Sequence, residues 1–258
     1  MNRGVYPQSG LLPRQMMFID ASKGLSGDML LAAMLAALPT PDRIDFSKRL
    51  EDGAVAHGTE CSVVEIEERG ERGLCVSCKP VEPIVNGVAY EECFLSLSHM
   101  EKHLKTSTDT SRAILELIFE AEGKAHGLPP KEVHLHEIGR PQTILNIASI
   151  GAVSKTLLKM DPEGFTASTI ITGRGIVVMS HGAVRVPPPV SEILLRGMKH
   201  APGDVPGERA TPTGIAAVKI LASAQTDKAP SQGGRRCVGF GSKRFSGELG
   251  RTTLILGR

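Results

Sequence analysis

Apolar positions cluster first at Gln15-Met-Met-Phe-Ile-Asp20, a short run ending in an acid, which predicts a strand. A loop over 21–24 follows. Ser26 then reads as an N-cap, Asp28 lies in the first turn, and 29–38 is strongly helix-forming until Pro39 and Pro41. A second helix is predicted over 42–51. Strands over 61–68 and 74–79 flank a turn, and 81–92 reads as a loop. Helices are predicted over 97–104 and 109–126. In the latter, Ile114, Leu117, Ile118 and Ala121 share one face, and Gly127 with Pro129-Pro130 stops it. Residues 133–138 are short and extended. Pro141 opens a long apolar helix to about residue 160, since proline suits a first helical position. Strands over 165–172 and 174–179 meet at Gly173. Helices over 190–198 and 213–224 and strands over 236–241 and 252–256 complete the chain. Strands and helices interleave without a regular βαβ period. The expected fold is therefore α+β, a mixed β-sheet packed with helices. It forms a single domain over 16–258 behind a flexible N-terminal extension, 1–15.

Composition narrows the function. The 258 residues are long enough to bury a core, and apolar (41%) and charged (22%) fractions are those of a globular chain. Thirty Lys and Arg balance twenty-eight Asp and Glu, so no net field draws nucleic acid or membrane. The absence of Trp and the scarcity of Tyr and Phe disfavour base stacking. No apolar run approaches the roughly 20 residues that span a bilayer, and the N-terminus lacks a basic-then-apolar signal, so a cytoplasmic location is expected. Five cysteines without a secretion signal argue against a disulfide framework. Cys75 and Cys78 would point to opposite faces of a strand, which argues against a zinc or redox pair.

Five segments could carry chemistry. Asp20-Ala-Ser-Lys-Gly-Leu-Ser-Gly-Asp28-Met joins a strand, a glycine-containing loop and a helix start. The helix-end N–H groups around Ser26 and Gly27 suit an anion, whereas Asp20 and Asp28 suit a cation. The same pattern also describes a plain capped helix. In Val133-His134-Leu-His136-Glu137, alternate residues of an extended segment share a face. His134 and His136 can thus converge on one ion such as nickel or zinc, with Glu137 completing or orienting the set. The alternative is a surface strand whose imidazoles bond water or backbone. His181, within Gly173-Arg-Gly175 … Ser180-His-Gly182, lies in a turn that a ligand can reach; it also reads as an ordinary hairpin. Thr211-Pro-Thr213-Gly offers two hydroxyls at a helix start, for an anion or for capping. Gly239-Phe-Gly241-Ser-Lys243-Arg244 places two cations beside glycines, as a phosphate grip or a solvated turn. His99 and His103, four apart, fit a solvated helix face beside Glu101, Lys102 and Lys105. No esterase elbow, zincin helix or P-loop pattern is present.

Six segments in order complete a larger pattern. They are 18–29, Ala121-Glu-Gly-Lys-Ala-His126-Gly, Val133-His-Leu-His-Glu-Ile-Gly139, His181-Gly-Ala-Val-Arg-Val-Pro-Pro-Pro189, Thr211-Pro-Thr-Gly214 and Gly239-Phe-Gly-Ser-Lys-Arg244. Their order and spacing resemble the LarC family over about residues 16–258. The resemblance implies nickel insertion, as a cyclometallase-type lyase, into a pyridinium bis-thiocarboxylate mononucleotide during cofactor maturation. It implies CTP with a divalent metal (Mn or Mg), supplied through a further C-terminal domain or a separate subunit. It makes a nucleotide-like small molecule the expected partner and leaves homo-oligomerisation open. Asp20, Lys23 and Asp28 become catalytic candidates. Ser26, Gly27, His181, Thr211, Thr213, Lys243 and Arg244 become binding candidates, and His134, His136 and Glu137 metal candidates.

Departures from the family pattern matter. Gln142 and Asn146 stand where the family carries acids, and Lys23 stands where it carries a Ser. A His-rich stretch of the family is replaced by 81–92. An amide keeps a carboxylate's shape without its charge, so cation binding there should weaken. These changes also describe a non-catalytic binding or assembly module that keeps the fold. Lys23, flanked by Asp20 and Asp28, is expected to sit in the pocket and pair with either acid or with an anionic ligand, replacing a metal.

Overall fold

The computed structural model describes residues 16–81, 87–136, 138–179, 182–229 and 234–257. The expected extension 1–15 lies outside them. Seven strands build the main sheet: β1 (Met17–Asp20), β2 (Thr59–Glu68), β3 (Glu71–Pro80), β4 (Phe165–Ala167), β5 (Ala222–Gln225), β6 (Arg235–Phe245) and β7 (Glu248–Leu256). Their order is β5-β4-β1-β7-β6-β3-β2. The β5–β4, β4–β1 and β6–β3 pairs are parallel, and the β1–β7, β7–β6 and β3–β2 pairs are antiparallel. The sheet is thus mixed and the fold α+β, as the interleaved elements predict.

Helices α1 (Gly27–Ala37), α2 (Thr40–Ala56), α3 (Tyr90–His103), α4 (Asp109–His126), α5 (Pro141–Met160), α6 (Pro189–Leu195) and α7 (Pro212–Leu221) pack with it. α1 is buried almost all round, at Gly27, at Met29 through Leu35 and at Ala37. A helix apolar on every side can only sit inside. It lies between α5 and the strands β3, β6 and β7. Gly239 makes this possible: a Cβ there would stand 2.0 Å from the Met29 carbonyl oxygen and 2.4 Å from the Ala33 nitrogen. Gly241 likewise faces the Met29 side chain, at 3.1 Å. Of the two glycines read as a phosphate grip, Gly239 thus lets helix backbone approach strand backbone, and Gly241 makes room for the Met29 side chain. None of the described helices is long and apolar enough to cross a membrane.

Three readings need correction. α2 runs to Ala56, five residues past its expected end, burying Phe46, Leu50, Gly53 and Ala54. Tertiary burial, not propensity, extends it. Part of the loop expected over 81–92 is structured: Val88–Ala89 pairs with His134–Leu135, and α3 starts at Tyr90. That pairing is long-range, so local composition does not report it. Finally, Cys61 and Cys78 form a disulfide across β2 and β3, where the register places them opposite each other with Cα atoms 4.0 Å apart. Cys75, Cys93 and Cys237 are free thiols. The partner of Cys78 is chosen by strand register, which spacing along the chain does not reveal.

Candidate functional site

A cavity of about 550 Å³ opens where the first turns of α1, α5 and α7 meet the turn at 134–140 and the β6–β7 hairpin. α1 and α7 abut end to end. Leu25 bridges Ala210, the Thr211 amide donates to the Leu25 carbonyl at 2.8 Å, and a Cβ on Gly27 would stand 2.8 Å from the Thr213 methyl. Gly214 is as tightly held, 2.8 Å from the Leu25 carbonyl oxygen by the same measure. The Thr-Pro-Thr-Gly segment is therefore shaped by helix docking as well as capping. Thr211 is the N-cap residue but gives no side-chain cap bond.

His134 and His136 both line this cavity and are exposed. Gly87 explains their fit: a Cβ there would lie 3.0 Å from the Cβ of His134, 3.0 Å from Cε1 of His136 and 3.1 Å from its Nδ1. The His136 ring and the His134 Cβ thus approach the same backbone position, His134 from the short strand and His136 just past its end. Glu137 and His181 lie outside the described residues. Among the described residues no three His, Cys, Asp or Glu side chains cluster closely enough to hold a metal ion.

Ser26 caps α1, its hydroxyl accepting from the Met29 amide at 3.5 Å and donating to Asp28 Oδ1. Asp28 lines the cavity. Packing strips water from its carboxyl and pushes its pKa up, against the lowering effects of the Ser26 hydroxyl, the Met29 and Asp28 amides and the Lys243 charge. Ser26, Gly27, Thr211, Thr213 and Lys243 all line the same space.

Lys23, Asp20 and Arg244 do not. Lys23 is exposed, and no ion pair joins it to Asp20 or Asp28 among the described residues. Its backbone carbonyl is the useful group, accepting from Arg209 Nη2 at 2.7 Å and from the Arg251 amide at 3.4 Å. An ammonium is cheaper to leave in water than to bury, and the loop turns it outward. Asp20 Oδ1 accepts from the Ser22 amide at 3.0 Å, a bond within the loop itself. Arg244 forks onto Glu68, at 2.8 and 3.2 Å, beyond an irregularity of β6 between Phe240 and Arg244. Of the two adjacent cations only Lys243 reaches the cavity.

Residues not singled out for roles complete the walls. Gln142 and Asn146, one turn apart on α5, each leave a buried amide oxygen without a hydrogen-bond partner among the described residues. Glu122 and His126 of α4 approach each other at 3.4 Å. Their i,i+4 spacing was the available signal. Arg209 packs over the Phe245 ring at 5.2 Å, and burial draws its pKa down from the usual arginine range. Nothing in the local pattern marks Arg209, because its neighbours come from distant parts of the chain.

The family model described as nickel insertion protein matches residues 17–255. A putative nickel insertion protein from Rhodopirellula baltica is 31% identical over 213 residues, 79% of this chain and 50% of the relative. A pyridinium-3,5-bisthiocarboxylic acid mononucleotide nickel insertion protein from Akkermansia muciniphila is 29% identical, covering 86% of this chain and 54% of the relative. Its namesake from Desulfitobacterium hafniense is 32% identical, covering 78% and 48% respectively. The chain spans about half the length of these curated relatives. No solved structure matches it significantly.

Proposed function

The chain belongs to the nickel insertion protein family, and on that premise we propose that it inserts nickel into a pyridinium mononucleotide-type cofactor precursor within this cavity. One observation carries the reading. All six sequence segments, spread over more than 200 residues, contribute to the walls of a single cavity: Ser26–Met29, Glu122 and His126, His134 and His136, Pro188 and Pro189, Thr211–Thr213, and Gly241–Lys243. Packing alone does not require segments so far apart in the chain to face one shared space. In the proposal His134 and His136 receive the nickel, because imidazole suits this borderline metal better than carboxylate does. Asp28, whose carboxyl burial pushes above the usual carboxylate range, faces the same space. Nickel is the substrate here, not a resident cofactor. CTP with Mn or Mg is proposed to be used through a further domain or a separate subunit.

Equilibrium dialysis of the full chain against nickel tests the reading. Wild type should retain nickel, and His134→Ala/His136→Ala should lower retention by about tenfold or more, the loss of roughly 1.4 kcal/mol or more of binding. No retention by wild type, or equal retention by the double variant, would sink it.

A further inference from the structure

We propose that the wall shared by α7, α1 and α5 is a sugar-phosphate subsite, with the phosphate at the first turn of α7 and the ribose hydroxyls on the α5 amides. The inference rests on the mononucleotide reading above and specifies where its phosphate and sugar go.

Donors and acceptors left unused on the two sides of this wall motivate it. On the α7 side, Thr213 is 7% exposed, lines the cavity and has no hydrogen-bond partner for its hydroxyl among the described residues. The helix end beside it receives no side-chain cap. Such an end favours an anion with several acceptor oxygens. Lys243 stands at the same wall, and Arg209 adds a second cation. Two carboxyls, Asp28 and Glu208, also line the cavity. The Lys243 charge acts on Asp28, and the burial that raises the Asp28 pKa lessens its repulsion of a phosphate.

On the α5 side the deficit is reversed. Gln142 and Asn146 both line the cavity, and among the described residues Gln142 Oε1 and Asn146 Oδ1, turned in from the surface, have no donor. An orphaned buried acceptor costs on the order of 1–3 kcal/mol, so an amide that turns its oxygen toward the cavity to take a ligand's hydroxyl donors gains there. The two sides are adjacent: a Cβ on Gly27 would stand 2.8 Å from the Thr213 methyl and 3.8 Å from the Asn146 Cβ. Unused donors beside unused acceptors match a group that carries phosphate oxygens beside hydroxyls. A ribose 5-phosphate is such a group, and a bare pyridine ring or a free metal ion is not. With this end anchored, the ring of a mononucleotide extends toward the remaining wall, where His134 and His136 stand.

The test uses nicotinic acid mononucleotide as the probe, with its unphosphorylated riboside as control, by isothermal titration of the full chain. Wild type should bind the mononucleotide about tenfold or more tighter than the riboside. Thr213→Val keeps the side-chain shape, removes the hydroxyl and should shrink that preference several-fold. Asn146→Leu should weaken both probes alike, since it removes a sugar contact. Thermal melts establish that each variant is folded, and Lys243→Met, at an exposed position, serves as a second phosphate-side variant. Equal affinity for the two probes, no binding of the mononucleotide, or a preference untouched by both Thr213→Val and Lys243→Met overturns the subsite. Nickel retention is read separately. Retained nickel with no phosphate preference leaves the nickel reading standing and removes this one. A phosphate preference without nickel retention does the reverse.

Discussion

Asp28 begins α1 with a carboxyl that its surroundings would rather keep neutral. Its pKa is raised in the folded chain, so protonation stabilises the fold and ionisation costs stability. The penalty is absent below the unfolded carboxylate value, grows as pH rises through the raised folded value, and is complete above it. Asp28→Asn should therefore raise Tm at pH 8, and the gain should shrink as pH falls toward the carboxylate range. A Tm difference that does not change with pH would contradict the burial argument. The roles of Ser26 and Asp28 at the helix start were legible because a cap is a local device, satisfied within three residues. The pairing expected for Lys23 was not legible. Whether a loop side chain points inward depends on what the rest of the molecule places beneath it, and here Arg209 and Arg251 hold the loop by its backbone.

At the scale of elements, periodicity located α4 to the residue, Asp109–His126, because its apolar face, its Thr108 cap and its left-handed Gly127 end are all encoded nearby. The burial of α1 was implicit in its unbroken apolar composition. What the glycines of β6 do was not, since the helix they admit lies some 200 positions away. Gly239→Ala is the corresponding prediction. The added methyl meets helix backbone, which cannot swing aside as a side chain can, so the change should cost about 1–3 kcal/mol or more and be read as a lower midpoint in urea. A variant as stable as wild type would mean that α1 and β6 are less closely packed than described here. The Cys61–Cys78 bond belongs to the same scale: an antiparallel register makes two residues 17 apart into neighbours.

The whole molecule brings the α5 amides beside the imidazoles and the helix ends in one cavity. Returning acids to this wall tests its charge. Gln142→Asp/Asn146→Asp puts two carboxylates on one face of α5, and hard cations prefer carboxylate oxygen. The double variant should bind Mn2+ about tenfold or more tighter than wild type by isothermal titration, with a lower Tm because two charges are now partly buried. Unchanged Mn2+ affinity would mean that the amides do not face the cation-accessible space. The sequence by itself determined the element types, the mixed α+β class, the capped start of α1 and the family, because each rests on local spacing or on motif order. Only the tertiary structure decided which of those residues share a cavity, that Lys243 enters it while Arg244 binds Glu68, that Lys23 stays outside, and that Cys61 meets Cys78. These depend on strand register and helix docking, which are set by the summed burial of residues far apart in the chain and leave no mark in any short window of it.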